Sequence, residues 1–298
     1  MSNGNESPLK VPDGYDLDTA RTCSFVVNVA CEMGEQWKTA GKPSPDKFSW
    51  NPADSCAITN TVFPIDQWRF SSPLWSTFIP VARKISEPFA IFAYGPDDKT
   101  AYLAFRGSQT DDDFIMDTKT GLVPYTPPTT SPIKGIQVAN GFNEVFNGLG
   151  QSNLMDTLSK LAAGGGRLIV TGHSLGSTLA TLTVPLACAA GIRNANIWQY
   201  NQASPKVGDA NFKAYYDALG VQTTYRLVNT YDKVPNLPDK PAYVHVGVAA
   251  SYAAEYATEE ECHNPCCSYS YALFNPSAPY NPEIDTCMDR ANPEMRIP

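Results

Sequence analysis

The segment around residues 167–190 constrains the fold more than any other part of the chain. A short apolar run, Arg167–Thr171, leads at once into Gly-His-Ser-Leu-Gly at 172–176, and apolar residues then continue to about Ala190. The run is typical of a buried strand, the glycines of a sharp turn, and the following residues of a helix. We therefore expect a strand that turns directly into a helix.

The alternation of strand and helix continues downstream of this turn. The pattern predicts strands near Ile197–Asn201 and Thr224–Asn229, with a helix from Asp209 to Leu219 between them. Alternating helices and apolar strands favour a mostly parallel sheet that is covered by helices on both faces. The sequence thus predicts the α/β class.

Upstream of the turn, the pattern predicts two helices and a hairpin. The helices span Tyr15–Met33 and Gln137–Ala163, the second ended by the glycines at 164–166, and the hairpin joins 89–94 to 101–105. The chain has 298 residues, 43% of them apolar, which is enough for one large core. Because no linker or repeat interrupts it, we predict a single domain over residues 1–298.

The charge of the chain excludes one class of partner and limits another. A formal net charge of -8 argues against a nucleic-acid surface, which needs clustered Lys and Arg, and gives no attraction to anionic lipid. No run reaches the ~18 apolar residues of a membrane span. Residues 1–7 lack the basic and apolar parts of a secretory signal, which favours a cytoplasmic protein, with secretion as the alternative if a leader was removed.

The eight cysteines leave three interpretations open. Several crowd the C-terminal end of the chain and others lie near its front, an arrangement that suits disulfides and cytosolic thiols equally. A zinc site is a further alternative, although its spacing differs from the usual CxxC pairs. Its ligands would be Cys262, His263, Cys266 and Cys267.

Ser174 is the candidate nucleophile of the strand-to-helix turn. The segment Gly172-His-Ser-Leu-Gly176 fits the G-x-S-x-G pattern, in which the turn exposes the serine hydroxyl and the glycines relieve crowding around it. The start of the helix then points at the oxygen that becomes negative in acyl transfer, where the N–H of Leu175 can donate. The pattern therefore indicates a serine hydrolase.

Four segments stand in order between residues 104 and 235. They are Ala104-Phe-Arg-Gly-Ser108 with Asp113-Phe-Ile-Met-Asp117, Val170-Thr-Gly-His-Ser-Leu-Gly176, Ala203-Ser-Pro-Lys-Val-Gly208 and Arg226-Leu-Val-Asn-Thr-Tyr-Asp-Lys-Val-Pro235. Together they resemble the class 3 lipases, the family that includes filamentous-fungal triacylglycerol lipases, plant chloroplast phospholipases A1 and fungal feruloyl esterases. The resemblance implies an α/β-hydrolase fold. It also implies that Asp232 is the triad acid, that Ser108 joins Leu175 in the oxyanion hole, and that Asp117 orients the oxyanion loop.

The catalytic histidine must be one of three. His173 adjoins the nucleophile and should point away from the cleft as a packed, hydrogen-bonded side chain. His245 resembles a structural histidine of the family, whereas His263 stands ahead of a tyrosine-bearing terminal segment, as the family's base does. We predict His263, and since only 31 residues separate it from Asp232, His245 stays the alternative.

These residues predict a serine ester hydrolase with a Ser-His-Asp triad and an acyl-enzyme, without cofactor or metal. By the resemblance, residues 108–128 would form the oxyanion loop and a lid whose mixed acidic and apolar residues suit transient contact with a lipid interface. Residues 259–298 form a Cys-rich segment that carries His263. The substrates would be acylglycerols or other carboxylic esters; a phospholipase A1, a feruloyl esterase and a catalytically silent binding protein are the alternatives.

Overall fold

The computed structural model describes residues 6–80, 83–97, 99–108 and 121–291. Within these residues, nine strands form one sheet and two more form a small second sheet. The strands of the large sheet are β1 (Ser7–Lys10), β2 (Arg69–Phe70), β3 (Leu74–Phe78), β4 (Ile85–Tyr94), β5 (Thr100–Phe105), β8 (Arg167–His173), β9 (Ile197–Gln202), β10 (Thr223–Asn229) and β11 (Val248–Ala253). The small sheet pairs β6 (Leu122–Pro124) with β7 (Gln137–Ala139).

The middle of the large sheet is parallel and its edges are antiparallel. The order is β1-β11-β10-β9-β8-β5-β4-β2, with β3 also paired to β4. The run from β11 to β5 is parallel, as predicted from the alternation of strand and helix. The predicted hairpin is β4 and β5, whose short turn allows only the antiparallel arrangement.

Helices cover the sheet on both faces. They are α1 (Leu17–Thr39), α2 (Asn140–Asn147), α3 (Gln151–Ala163), α4 (Leu175–Ala189), α5 (Ala210–Ala218), α6 (Glu259–His263), α7 (Tyr271–Phe274) and α8 (Ile284–Ala291), with a π-helical turn at Pro265–Ser270. Successive residues of a strand face opposite sides, so Leu103 packs in the core with α4 while Ala104 packs in the core with α1. The sheet is therefore buried between two apolar layers.

The helix predicted over Gln137–Ala163 is wrong at its first three residues and at a break between residues 147 and 151. Residues 137–139 form β7, and the helical part is divided into α2 and α3. A Cβ on Gly148 would lie 2.4 Å from the Thr77 carbonyl oxygen, and Gly150 has a φ of 58°. The chain breaks here because β3 passes too close for any side chain, a tertiary contact that apolar spacing does not reveal.

Two further predictions concern membranes and the lid. Among the described residues, no helix is both long and apolar enough to cross a membrane. Of the predicted lid at 108–128, residues 109–120 lie outside the described residues. Residues 122–124 form β6, and the following turn lines a cavity of about 370 Å³ with α2 and the end of α4.

Candidate active site

Ser174 occupies the turn between β8 and α4. Its φ of 55° and ψ of -128° are unfavourable for a residue with a side chain, which marks a strained turn. The turn is possible because two glycines let backbones touch: a Cβ on Gly172 would lie 2.4 Å from the Gly176 carbonyl carbon, and one on Gly176 would lie 2.3 Å from the Arg106 carbonyl oxygen. The turn therefore fixes the direction of the Ser174 side chain. Ser174 as a whole is 8% exposed.

The structure brings Ser174, His263 and Asp232 together. The Ser174 hydroxyl lies 2.8 Å from His263 Nε2, and His263 Nδ1 lies 2.7 Å from Asp232 Oδ2. The Asp232 carboxylate is fully buried, while the His263 side chain is 22% exposed. With Nδ1–H donating to the carboxylate, Nε2 is free to accept the serine proton, which is the arrangement of a nucleophile with its base.

The carboxylate of Asp232 is held by two further donors. The Val234 N–H donates to Oδ1 at 2.9 Å, and the Tyr269 hydroxyl donates to Oδ2 at 2.7 Å. Tyr269 is itself fully buried, and the Asn229 N–H donates to its oxygen at 3.2 Å. Burial, and then the Asp232 charge, raise the pKa of Tyr269, so this hydroxyl keeps the proton that it donates.

Two helix starts position His263. Thr258 and Glu261 form a capping box at the start of α6, the helix that ends at His263. Directly after it, the Asn264 side chain accepts from the N–H groups of Cys266 and Cys267 at the start of the π-helical turn. The base thus stands at a junction of two short, capped elements.

His173 lies beside this junction and forms a hydrogen bond with its backbone. Its Nε2 is 2.7 Å from the His263 carbonyl oxygen, which can only accept, so Nε2 carries the proton. Burial, with the adjacent His263 ring second, lowers the pKa of His173 well below its ordinary value. It is the packed, hydrogen-bonded histidine that the sequence predicts.

His245, the alternative base, bonds elsewhere. Its Nε2 donates to the Pro235 carbonyl at 2.8 Å, and no bond joins it to Ser174 or Asp232 within the described residues. Burial, together with Arg226 and Lys206, lowers the pKa of His245 to about 4. The structure therefore places His263 beside the nucleophile and leaves His245 in a structural position.

The predicted oxyanion residues lie on both sides of Ser174. Leu175 begins α4 directly after the serine, and Ser108 follows β5, the neighbouring strand. A Cβ on Gly107 would lie 3.3 Å from the Ser174 Cβ, so the backbone before Ser108 packs against the nucleophile. Asp117 lies outside the described residues.

A buried ion pair anchors this side of the site. The guanidinium of Arg106 is fully buried, lies 2.8 Å from Glu87 Oε2, and donates to the Gly107 carbonyl at 2.7 Å and to the Pro88 carbonyl at 2.6 Å. It also stacks on the Phe89 ring, 4.2 Å from its centroid. Arg106 therefore fixes the strand end from which the loop to Ser108 begins.

The cysteines near His263 form disulfides. Cys56 pairs with Cys266 and Cys267 with Cys287. Since these bonds hold Cys266 and Cys267 and both nitrogens of His263 are engaged, three of the four residues considered as zinc ligands have other roles here. Cys262 is buried outside any disulfide.

Sequence reasoning missed several residues of the site. Local sequence patterns do not reveal the role of Tyr269, because its bond to Asp232 joins residues 37 apart. The Arg106–Glu87 pair is not identified from the sequence either, although a charged residue directly after the apolar run 101–105 is a signal. The pairing of the cysteines had no signal in the sequence, because spacing alone does not determine connectivity.

Known proteins resemble this arrangement in sequence and in fold. The sequence profile of the family described as Lipase (class 3) matches residues 102–241, a range that includes Ser174 and Asp232 and ends before His263. The lipase of Rhizomucor miehei is 32% identical over 185 residues, which cover 58% of this chain and 46% of that protein. The secreted mono- and diacylglycerol lipase A of Penicillium cyclopium is 41% identical over 80 residues, covering 26% of this chain and 25% of that protein.

The solved structures share the architecture. The lipase from Rhizopus microsporus var. chinensis superposes with a TM-score of 0.59 at 20% identity, covering 93% of this chain and 90% of that one. This likeness confirms the predicted α/β-hydrolase fold. The chain spans less than half the length of the curated relatives named above. Residues 102–241, slightly under half of the chain, thus match the class 3 lipase family in sequence.

Proposed function

We propose that this protein is a serine ester hydrolase that acts on acylglycerols or other carboxylic esters through an acyl-enzyme on Ser174. One observation carries the proposal: the unbroken line of hydrogen bonds from the Ser174 hydroxyl through His263 to buried Asp232, at 2.8 and 2.7 Å. A serine activated in this way attacks an ester carbonyl without any cofactor. The intact hydrogen-bonded triad disfavours a catalytically silent protein, because such a protein does not require these three side chains to be aligned.

Each side chain has a defined part in the two steps. His263 Nε2 takes the serine proton during attack and returns it to the departing alcohol, while Asp232 keeps the imidazole tautomer and orientation. The N–H of Leu175 and the Ser108 side of the β5 loop stabilise the oxyanion, since both adjoin Ser174. Water then enters by the same route and releases the acid.

The substrate class is supported by the relatives. They are named a lipase and a mono- and diacylglycerol lipase, and the family profile covers the nucleophile and the acid. Transient contact with a lipid interface through residues 108–128 stays a proposal from the sequence, which mixes acidic and apolar residues there. A phospholipase A1 and a feruloyl esterase stay open as narrower activities.

The test is hydrolysis of p-nitrophenyl esters from acetate to palmitate by the parent and by single variants. We expect Ser174→Ala and His263→Ala each to lower kcat by on the order of 10⁶-fold, because a triad acts as a unit. His245→Ala is the matched control and should keep most of the activity, since among the described residues its ring bonds the Pro235 carbonyl and neither Ser174 nor Asp232.

The outcomes separate the alternatives. If His263→Ala stays active, the assignment of His263 as the base is wrong. If the parent hydrolyses no ester and does not react with a fluorophosphonate, the protein is catalytically silent. A preference for long acyl chains supports a lipase, whereas phospholipid and feruloyl ester substrates test the two narrower activities.

We also propose that the protein works in an oxidising compartment. Two disulfides converge beside His263, and such bonds persist outside the reducing cytosol. This proposal replaces the cytoplasmic location expected from residues 1–7 with the secreted alternative. Fractionation of the source cells, with the disulfide state of each fraction, is the measurement that checks it.

A further inference from the structure

The two disulfides meet at one point of the fold. Cys266 and Cys267 are neighbours at the start of the π-helical turn, and their partners Cys56 and Cys287 come from opposite ends of the chain. The Sγ atoms of Cys266, Cys267 and Cys287 all lie within 4.8 Å of one another. Both bridges can therefore be reached from a single place.

A small cavity opens at this place. Its volume is about 140 Å³, and its wall includes Cys266 and Cys287, one residue from each bridge. Cys287 is partly exposed and Cys266 is 6% exposed, whereas the bridge partners Cys56 and Cys267 are 2% and 0% exposed. Each bridge thus offers one residue to the cavity and keeps the other inside.

The cavity wall combines polar and apolar side chains and carries one acidic group, Glu283. Beside the two cysteines, it is lined by Ser55, Ala57, Ile58, Tyr271, Asn281, Glu283 and Thr286. Since a water molecule takes about 30 Å³ of liquid, this space has room for the CH₂–SH end of a small thiol. Glu283 also favours an aminothiol, which carries a positive charge, over an anionic thiol.

We propose that this cavity is a thiol-exchange site for low-molecular-weight aminothiols. The thiolate attacks the sulfur of Cys266 or Cys287, forming a mixed disulfide there, and the electron pair of the broken S–S bond leaves on Cys56 or Cys267 as its thiolate. A second thiol releases the adduct as a small disulfide, so two electrons pass from two thiols to each bridge. The thiol is the reductant, and no metal takes part.

Exchange at this site acts on the segment that holds the base. His263 stands three residues before Cys266, and Tyr269 follows on the same π-helical turn, where its hydroxyl holds Asp232. Opening the Cys56–Cys266 bridge removes the covalent link between this turn and the loop that follows α1 in the sequence. The expected result is a looser His263 and slower acyl transfer, a consequence that rests on the proposed function.

The rest of the segment has enough support to stay folded. The Ser24 and Ser270 hydroxyls are 2.6 Å apart inside the core, and the Asn28 amide donates to Ser270 at 3.1 Å. Ser270 donates in turn to the Pro265 carbonyl at 2.7 Å. These buried bonds join the π-helical turn to α1 independently of the disulfide, so reduction should loosen the site without unfolding the chain.

The chemical test uses the full oxidised chain and cysteamine. After acid quenching, mass spectrometry should find the first cysteamine adducts on Cys287 or Cys266, with new free thiols on Cys267 or Cys56. First adducts on Cys56 or Cys267 would overturn the proposal. So would two intact bridges at a cysteamine concentration that fully reduces the unfolded chain.

A cavity-filling variant makes this test specific. Thr286→Trp places a large ring in the wall without touching a sulfur, and we expect adduct formation to slow about tenfold or more. Asp285→Trp, an equally large change on the exposed neighbour outside the cavity wall, should react at the parent rate. Equal rates for the two variants would show that the thiol enters by another route.

The functional test compares kinetics before and after exchange. We expect kcat to fall about tenfold with little change in KM, below the melting temperature of the treated protein, and to recover on reoxidation with cystamine. Full activity in the adduct would refute the link to His263. If even the oxidised chain hydrolyses no ester while the adducts map as expected, the proposed function fails and the thiol site stands.

Discussion

At the residue scale, the carboxylate of Asp232 shows how this site is kept in order. It is buried and accepts from the Val234 N–H, the Tyr269 hydroxyl and His263 Nδ1. A buried carboxylate with satisfied acceptors is held in one position, and it then holds the imidazole. Tyr269 is the donor that can be removed without deleting a member of the triad.

We expect Tyr269→Phe to lower kcat about tenfold while KM stays near the parent value, because a hydrogen bond to a charged group contributes roughly 1.5–3 kcal/mol. The change also leaves the Asn229 N–H without the oxygen to which it donates. Tyr271→Phe is the matched control on the neighbouring helix and should behave as the parent. An unchanged kcat in Tyr269→Phe would limit this hydroxyl to packing.

At the scale of elements, the β8–α4 turn depends on backbone contact. Gly176 lies so close to the end of β5 that an added Cβ would approach the Arg106 and Phe105 carbonyl oxygens at 2.3 and 2.5 Å. These atoms belong to the strand that leads to Gly107 and Ser108. The nucleophile and the oxyanion loop are therefore packed as one unit.

Gly176→Ala should accordingly destabilise the protein by about 3 kcal/mol or more, because two backbones must separate. Gly164→Ala is the control, since a Cβ there meets nothing nearer than 3.6 Å. The free energy of unfolding in urea, compared for the three proteins, is the measurement. Equal losses in the two variants would contradict the close packing described here.

The elements around Ser174 show which parts of the fold the sequence could predict. The strands around Ser174 and the turn itself are determined by residues that are close together in the sequence, so apolar runs and glycines predicted them correctly. The break at Gly148 and the pairing of Cys56 with Cys266 depend on contacts between distant segments, which local patterns do not contain. The choice of His263 came from a family resemblance, since its approach to Ser174 crosses 89 residues.

At the scale of the whole molecule, the site lies where neighbouring parallel strands end. Ser174 follows β8, the loop to Ser108 follows β5, and Asp232 comes shortly after β10. Ligand sites of open α/β sheets gather at this edge because the carboxyl ends of the strands point to one side. The prediction of one domain over residues 1–298 stays a prediction.

Stability of the whole molecule should depend on pH through His245. Its folded pKa of about 4 lies below the ordinary value of 6.5, so the unfolded chain binds more protons between these values and stability falls as the pH drops from 6.5 to 4. The full effect is up to about 3 kcal/mol at 1.36 kcal/mol per pKa unit. His245→Gln, which keeps a donor for the Pro235 carbonyl, should remove this part of the decline.

The measurement is the free energy of unfolding of both proteins at pH 7 and pH 4.5. Burial raises the pKa of Asp54 to about 7. The contribution of Asp54 to the free energy of unfolding therefore falls as the pH rises toward 7, which is opposite to the effect of His245. For that reason the difference between parent and variant is compared, rather than the parent curve alone. Parallel declines in both proteins would contradict the assignment to His245.

The Cys56–Cys266 bridge also changes the chain when it is not folded. Its ends are 210 residues apart, and the closed loop between them contains Ser174, Asp232 and His263. The oxidised, unfolded polymer thus contains a large ring beside the small ring closed by Cys267 and Cys287, and closing the large ring removes about 5 kcal/mol of coil entropy. Even fully denatured, such a ring keeps the histidine segment tethered to the residues that follow α1.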